Sequence, residues 1–332
     1  MLGLFLTASA HAWAKDPGTS QFTTEGRSNQ GGDQTLESRI VYSAAGYNAK
    51  LDALGGRVTP KTPWIPPACW YEPKWTPDEF EAEFQRRWSV PHFSGASEAF
   101  AMGQDRYVNG EPYEDFNKAK SGQGLWWSVV RDQSRADSGD PAAFACDEPA
   151  FWVDNGESPP VANALTPEVL AQLAYAAIRV PNTEIRMAPQ GAAKVNLPTW
   201  AWLDSERFQE VSVTASLDVG GLHIEATTTA TPVSLGLEPG TPDARTHPGS
   251  GECPINADGS IGRPYTAGQA DREPPCGVTY LRASGESGYD LHATVTWDIS
   301  WTGTGGAGGD LPDGTFGGEQ TVVVQEIQSV NR

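Results

Sequence analysis

The histidines of this sequence are the residues with the most direct acid-base and metal chemistry, and their spacing limits that chemistry. A nucleophile-elbow hydrolase needs G-x-S-x-G, and a zinc protease needs H-E-x-x-H on a helix. Neither motif occurs, and His92, His223, His247 and His292 stand far apart along the chain. Since His223 and His292 fall on the polar faces of predicted strands, we interpret both as solvent-facing. We predict a protein that is not an enzyme and that holds no cofactor.

Two Gly-rich segments carry carboxylates of the kind that bind Ca²⁺ outside the cell, Asp258-Gly259 and the segment from Asp310 to Gly314. Neither has the ligand number of an EF-hand loop, and Asp-Gly is favoured in tight turns without any metal. We therefore interpret both as turns and predict no metal site. A hydrolase whose acidic residues meet only in the folded chain stays open as an alternative. A cleft with two carboxylates about 5–10 Å apart would support it.

The four cysteines are Cys69, Cys146, Cys253 and Cys276, an even number with no C-x-x-C spacing. In a chain with an export signal, this pattern favours two disulfides over a zinc site. Three pairings are possible, of which the simplest joins Cys69 to Cys146 and Cys253 to Cys276. The alternative is four free thiols in a cytosolic protein.

Tryptophan pairs suggest a binding surface of a second kind. Trp200 and Trp202 flank one residue and so share a strand face, as do Trp297 and Trp301. Exposed aromatic pairs stack on sugars, so Trp200 and Trp202 are candidate ligand-stacking residues. The alternative is that these rings fill a core, which is favoured for Trp297 because aliphatic residues share its face.

Alternating apolar and polar residues predict the strands that would position these side chains. The segment 211–226 alternates on both sides of Asp218-Val-Gly-Gly221, which is typical of a hairpin. The segment 292–301 alternates without interruption and predicts a half-buried strand. A Gly-rich connection over 302–318 and a last strand over 321–330 follow.

Two helices have clear start signals. Residues 76–79 read Thr-Pro-Asp-Glu, a hydroxyl cap with proline at the first helical position and an acidic residue that reaches back to the cap. The apolar stripe of this helix is aromatic, formed by Phe80, Phe84 and Trp88. Thr166 caps a second helix over 167–179 in the same way.

The remaining elements of the N-terminal half are less regular. We predict strands over 39–42, over 124–130 and over 144–153, the last of which contains a cysteine. The stretch 60–75 carries five prolines and is predicted to be extended and irregular.

Composition excludes some partners. Lys plus Arg number 23 against 42 Asp plus Glu, and a net charge of −19 disfavours nucleic acid. The 36 Gly and 26 Pro are typical of a turn-rich β protein, and 332 residues suffice for two domains. No apolar stretch reaches the roughly 20 residues that span a bilayer, so we predict no membrane span in the mature chain.

The first residues resemble an export signal. A short apolar run over 2–10 precedes small-x-small sites at 10–12 and 12–14, although a basic n-region is lacking. The alternative is a buried segment of the mature protein. We predict a signal peptide over 1–14 and a flexible linker over 15–37, and hence a secreted or cell-surface protein.

Three segments carry a resemblance to a known family: 195–204, 276–280 and 288–301, the last reading Gly-Tyr-Asp-Leu-His-Ala-Thr-Val-Thr-Trp-Asp-Ile-Ser-Trp. They resemble uncharacterised secreted actinobacterial proteins whose C-terminal half is similar to a PKD domain. The resemblance covers about 160–330 and implies an immunoglobulin-like sandwich with a role in adhesion or envelope assembly. It implies no catalytic residue. The Gly-Asp-Gly turn of PKD domains is replaced here by Leu235-Gly-Leu-Glu-Pro-Gly240.

The sequence thus predicts a Trp-rich, disulfide-linked α+β region over 38–160 and, over 161–330, an all-β immunoglobulin/PKD-like sandwich preceded by a short helix. We expect a secreted, non-enzymatic structural or protein-interaction component of the cell envelope or a surface apparatus. Its partner is then another envelope or surface protein. The alternative function is an extracellular glycan-binding module that uses exposed tryptophans, with cell-wall glycan as its ligand.

Overall fold

A computed structural model describes residues 19–23, 40–45, 56–63, 65–89, 96–203, 208–270 and 272–327. The predicted signal peptide, most of the predicted linker and His92 lie outside the described residues. The strand Thr19–Thr23 falls inside the predicted linker, so the linker prediction differs from the structure at those five residues. The predicted strand over 39–42 is confirmed as Ile40–Ala45.

The strands and helices follow in chain order. The strands are β1 (Thr19–Thr23), β2 (Ile40–Ala45), β3 (Gly56–Arg57), β4 (Thr59–Pro60), β5 (Cys69–Trp75), β6 (Gly124–Arg131), β7 (Phe151–Asp154), β8 (Arg179–Val180), β9 (Arg186–Ala188), β10 (Ala192–Lys194), β11 (Pro198–Leu203), β12 (Val211–Val219), β13 (Leu222–Glu238), β14 (Ala244–His247), β15 (Glu252–Pro254), β16 (Ile261–Gly262), β17 (Gly277–Tyr280), β18 (Tyr289–Gly303) and β19 (Ala307–Gln325). The helices are α1 (Pro77–Trp88), α2 (Ala96–Tyr107), α3 (Gln133–Asp137) and α4 (Pro167–Ala177).

Two sheets contain most strands of the C-terminal half, and the larger of them also includes β1, β2 and β4. The large sheet has the order β1-β2-β12-β13-β18-β19-β10, with β15 beside β13 and β4 beside β19. The small sheet has the order β14-β17-β11-β16, with β9 beside β11. The N-terminal half adds the sheet β5-β6-β7, and β3 pairs with β8. The predicted β-rich fold is confirmed at this level.

An interior strand of the large sheet is β18, which pairs with β13 on one side and β19 on the other. The predicted alternation is confirmed, and the strand extends beyond 292–301 at both ends. One face is buried, and its members are Leu291, Ala293, Val295, Trp297, Ile299 and Trp301. The predicted hairpin is confirmed as β12 and β13, joined through Gly220 and Gly221 at positive φ.

The predicted Gly-rich connection over 302–318 is wrong, because most of it belongs to the nineteen-residue strand β19. Its glycines are needed for close approach. A Cβ on Gly314 would lie 1.9 Å from Val58 Cγ1, and one on Gly317 would lie 2.8 Å from the carbonyl oxygen of Ala293. The last strand therefore begins earlier than predicted and ends at Gln325, and residues 328–330 lie outside the described part of the chain.

Helix α4 packs on the buried face of the large sheet. It begins as predicted, since the Thr166 hydroxyl accepts a hydrogen bond from the Val169 amide at 3.2 Å. The buried Thr228 hydroxyl donates to the carbonyl oxygen of Ala171 at 2.8 Å, which ties the middle of the helix to β13. This bond satisfies a hydroxyl that would otherwise be buried without a partner.

Helix α1 carries an aromatic cluster against β6. The Glu79 carboxylate accepts hydrogen bonds from the amide and the hydroxyl of Thr76, both at 2.8 Å, so the predicted helix start is confirmed. The Phe80 ring stacks on Trp126 at a centroid distance of 4.3 Å. The Trp126 indole donates to the carbonyl oxygen of Phe116 at 3.0 Å, which satisfies its polar group inside the cluster.

Two strand predictions of the N-terminal half need correction. The strand predicted over 144–153 is confined to β7, because residues 141–144 form a 3₁₀ turn. Cys146 thus lies outside any strand. The stretch predicted to be irregular over 60–75 ends in β5, whose Pro73 lies at a bulge of an edge strand, where a sheet tolerates a missing amide. The strand predicted over 124–130 is confirmed as β6.

Both disulfides have the sequence-local pairing. Cys69 bonds to Cys146 across the edge of the three-stranded sheet, and Cys253 bonds to Cys276. The second bond joins β15, which belongs to the large sheet, to the residue before β17 of the small sheet. The two sheets are therefore covalently linked in a sandwich-like arrangement. Buried residues of β5, β6 and both sheets form one continuous hydrophobic cluster.

Removing either disulfide should lower the free energy of unfolding. In the chain-entropy model the loss is about 3 kcal/mol for the separation of 23 residues in the double variant Cys253→Ala/Cys276→Ala, and about 4.5 kcal/mol for the separation of 77 in Cys69→Ala/Cys146→Ala. Urea unfolding followed by tryptophan fluorescence measures both. Unchanged midpoints in the variants would contradict the structural role of these bonds.

The close approach of β19 to β18 should require glycine at position 317. Gly317→Ala should destabilise the protein by about 1–3 kcal/mol, because its methyl group would overlap Thr294 Oγ1 at 2.7 Å. Gly249→Ala is the control, since a Cβ there meets no atom within 4 Å. Equal thermal midpoints for the two variants would show that β19 does not lie this close to β18.

Candidate functional site

A cleft of about 820 Å³ opens at the edge of the small sheet, a size within the range of ligand pockets. Its lining combines the whole of β14 with two flanking segments that contain prolines. The lining residues are Ala244, Arg245, Thr246, His247, Pro248, Gly249, Glu273, Pro274 and Pro275. The second flanking segment leads directly into Cys276, so the Cys253–Cys276 disulfide holds that wall in place.

The backbone of β14 is paired on one side. Among the strands that the structure describes, β17 alone pairs with β14. The Leu281 amide donates to the carbonyl oxygen of Asp243 at 2.9 Å, which continues this ladder. Because hydrogen-bonding residues alternate in an antiparallel pair, Arg245 and His247 direct their backbone groups toward β17. Ala244 and Thr246 direct theirs outward.

His247 is the most buried ionisable side chain of the cleft, with 14% of its side chain exposed. Its Nε2 lies 2.9 Å from Thr279 Oγ1, and its Nδ1 lies 3.9 Å from a carboxylate oxygen of Glu273. The order hydroxyl, imidazole, carboxylate is that of a nucleophilic triad. However, Thr279 does not line the cleft, and the Glu273 side chain is 86% exposed. The arrangement orients the imidazole, and no hydrogen bond joins its Nδ1 to another of the described residues.

The second notable surface is the outer face of the large sheet, which we call the acidic face. No Lys or Arg occurs in β12, β13, β18 or β19. Their carboxylates all lie on positions that alternate with the buried ones, or at the bulge beside Asp298. They are Asp218, Glu225, Glu238, Asp290, Asp298, Asp310, Asp313 and Glu319. Rows of Ser and Thr hydroxyls fill the space between them, with Thr214 and Thr227 in hydrogen-bond contact at 2.7 Å.

Carboxylates of the acidic face lie close enough to influence one another. Partial burial raises the pKa of Asp298, and the negative charge and hydrogen bond of Asp313, together with the charge of Asp310, raise it further. The two histidines of this face are about half exposed, as predicted. His223 lies 2.6 Å from Asp218, and His292 lies 3.2 Å from Glu319.

The hydrogen bond to Asp218 is the main cause that raises the pKa of His223, and Glu225 adds to it. A raised pKa in the folded state means that this ion pair stabilises the fold below the unfolded-state pKa of about 6.5. The stabilisation is lost as the pH rises through the folded-state value.

The candidate stacking residues do not present two free rings. Trp200 is 4% exposed and packs against Tyr265 at a centroid distance of 5.9 Å, whereas Trp202 is partly exposed. Trp297 and Trp301 are buried in the core of the large sheet. The aromatic surface available to a ligand near Trp200 is therefore small.

The two predicted Asp-Gly turns differ. Asp258 accepts hydrogen bonds from the hydroxyl and the amide of Ser260, which lower the pKa of its carboxyl and close a turn. Asp310 and Asp313 lie within β19, so a turn at that place is wrong. The described residues contain no group of three or more His, Cys, Asp or Glu side chains that could hold a metal ion.

Sequence reasoning missed the cleft, because its residues come from an irregular stretch of the chain. The available signals were Pro248 after a short Arg-Thr-His strand and the Pro274-Pro275 pair beside a cysteine.

None of the helices in the described ranges is long and apolar enough to cross a membrane. Neither a family model, nor a curated protein, nor a solved structure matches this chain.

Neutralising Asp298 should stabilise the protein at neutral pH. Because the pKa of Asp298 is raised in the folded state, ionisation of this carboxyl at pH 7 destabilises the fold. Asp298→Asn should therefore raise the free energy of unfolding by about 0.5 kcal/mol. The gain should vanish near pH 3, where the carboxyl is protonated in both folded and unfolded states. Thermal unfolding at both pH values tests this. Asp290→Asn is the control, because Asp290 accepts a hydrogen bond from Thr321 and its replacement should bring no gain.

Proposed function

We propose that this is a secreted or cell-surface, non-enzymatic interaction protein whose partner is another protein of the envelope or of a surface apparatus. Two disulfides are typical of proteins that fold in an oxidising compartment. We also propose that residues 161–330 form an immunoglobulin/PKD-like sandwich. The inter-sheet disulfide and the shared core of the two sheets support that assignment.

The acidic face carries the proposal. Four adjacent strands present eight carboxylates and no Lys or Arg side chain. Such a face repels other acidic surfaces and attracts basic ones, and charge complementarity sets the specificity and the association rate of a complex. A partner with a Lys- or Arg-rich surface fits it best.

Two features argue against the other functions considered. The hydroxyl of Thr279 lies outside the cleft, and Glu273 is the single carboxylate among the described residues that line it, so these residues form neither a triad nor a carboxylate pair. For glycan binding, Trp200 is buried and leaves little ring surface for stacking. These observations favour the protein-interaction role over the hydrolase and the glycan-binding module.

Carbodiimide cross-linking in intact envelope and supernatant fractions tests the acidic face directly. The reagent joins carboxylates to lysines that touch them, so the expected products link lysines of one partner to carboxylates of β18 and β19. Raising the salt to about 1 M before the reagent should abolish these links, because ion pairs across an exposed interface are screened. Links that map mainly to carboxylates of α1 and α2 would contradict the proposal.

A pair of matched variants separates the acidic face from overall charge. Asp298→Asn/Asp310→Asn/Glu319→Gln and Glu98→Gln/Glu157→Gln/Glu286→Gln each remove three exposed carboxylates. With the cross-linked partner purified, the first variant should bind it at least about tenfold more weakly, and the second should keep most of its affinity. Equal losses in both variants would mean that net charge, rather than the acidic face, attracts the partner.

A further inference from the structure

The geometry points to a second recognition site: we propose that the β14 cleft binds an extended peptide segment, which adds as an antiparallel strand beside β14. This inference rests on the proposed protein-interaction function and names the chemistry of one ligand. It concerns a surface on the small sheet, separate from the acidic face. The cleft and the open backbone edge coincide there, since all four residues of β14 line it.

The open edge determines the class of ligand. The amides and carbonyls of Ala244 and Thr246 point away from β17. They lie along the edge of β14 that pairs with no described strand. These groups repeat at about 6.8 Å, two residues of an extended chain. A peptide in β conformation presents donors and acceptors at the same spacing, which is how strand addition provides affinity. Sugars and small ions lack this repeat.

The walls of the cleft favour one added strand. Pro248 follows the last residue of β14, and Pro274 and Pro275 belong to the lining segment that leads into β17. Prolines carry no amide, so these walls do not compete for the hydrogen bonds of an incoming strand, and their rings offer rigid apolar contact. A Cβ on Gly249 would meet nothing within 4 Å, which leaves room beside the entry.

The side chains of β14 set the sequence preference. Arg245 and His247 lie on the same side of the strand, because they are two residues apart. An acidic residue of the peptide placed opposite Arg245 would form a cross-strand ion pair. Two residues earlier in an antiparallel peptide, a hydroxyl would lie opposite His247. In that position the hydroxyl could bridge His247 Nδ1 and the Glu273 carboxylate. The distance between these two groups, 3.9 Å, is too long for a direct hydrogen bond.

The test uses the full-length protein and the blocked peptide Ser-Thr-Val-Glu-Val-Thr, with versions in which Lys or Ala replaces the Glu. Amide hydrogen exchange measured by NMR is the readout. The Glu peptide at about 1 mM should slow exchange at Ala244 and Thr246 at least about tenfold, because both amides gain a backbone acceptor. A peptide N-methylated on the edge that faces β14 should lose this protection.

A charge reversal supplies the second arm. Arg245→Glu should invert the preference, so that the Lys peptide binds at least about fivefold better than the Glu peptide. Arg263→Glu is the matched control, because Arg263 is exposed beyond β16 on the opposite edge of the small sheet and should leave the preference unchanged.

Two results would overturn the inference: unchanged exchange at Ala244 and Thr246 with every peptide, or protection that appears at other strand edges and not at β14. Neither result bears on the cross-links of the acidic face, so failure of this inference and failure of the proposed function are separate outcomes. Conversely, peptide binding at β14 without lysine cross-links on β18 and β19 would keep the site and refute the basic partner.

Discussion

The strict alternation of β18 is the constraint on which the rest of the structure depends. Its even-numbered residues face outward with Asp and Thr, and its odd-numbered residues bury Val295, Trp297 and Ile299. Because side chains repeat every two residues, a slip of one residue would exchange the core with the acidic face. Helix α4 and the small sheet share the hydrophobic core on the side that this register defines. The outward side is left to carboxylates and hydroxyls, and the same register therefore fixes both the core and the proposed interaction surface.

Helix starts and strand alternation were predictable from sequence because their causes are local. The Thr-Pro-Asp-Glu start of α1 and the alternation over 292–301 need no knowledge of distant residues. The strand β19 was not predictable in this way, since its glycines suit a long connection equally well and are explained only by the closeness of Val58 and Ala293. The disulfide pairing was one of three possibilities, and spacing alone could not choose among them.

The candidate sites also differ in how much of each could be predicted from the sequence. The sequence contains the carboxylates of β18 and β19, but Asp310 and Asp313 were interpreted as turn residues. Their position on one face with Asp298 was therefore not predicted. The cleft depends on two segments, at 244–249 and 273–275, which the pairing of β14 with β17 brings together. No local pattern links Arg245 to Glu273. The burial of Trp200 beneath Tyr265 likewise arises from tertiary packing, which pair spacing cannot reveal.

Tension applied along the chain would bypass the segment between Cys253 and Cys276, because the S–S bond is the shorter path through the molecule. That segment, with its sequence separation of 23, would otherwise add about 75 Å of contour length on extension. Glu273, Pro274 and Pro275 belong to the bypassed segment, so this wall of the cleft bears no load while the bond is intact. A protein built in this way can be stretched elsewhere, and the proline wall keeps its shape under the same pull.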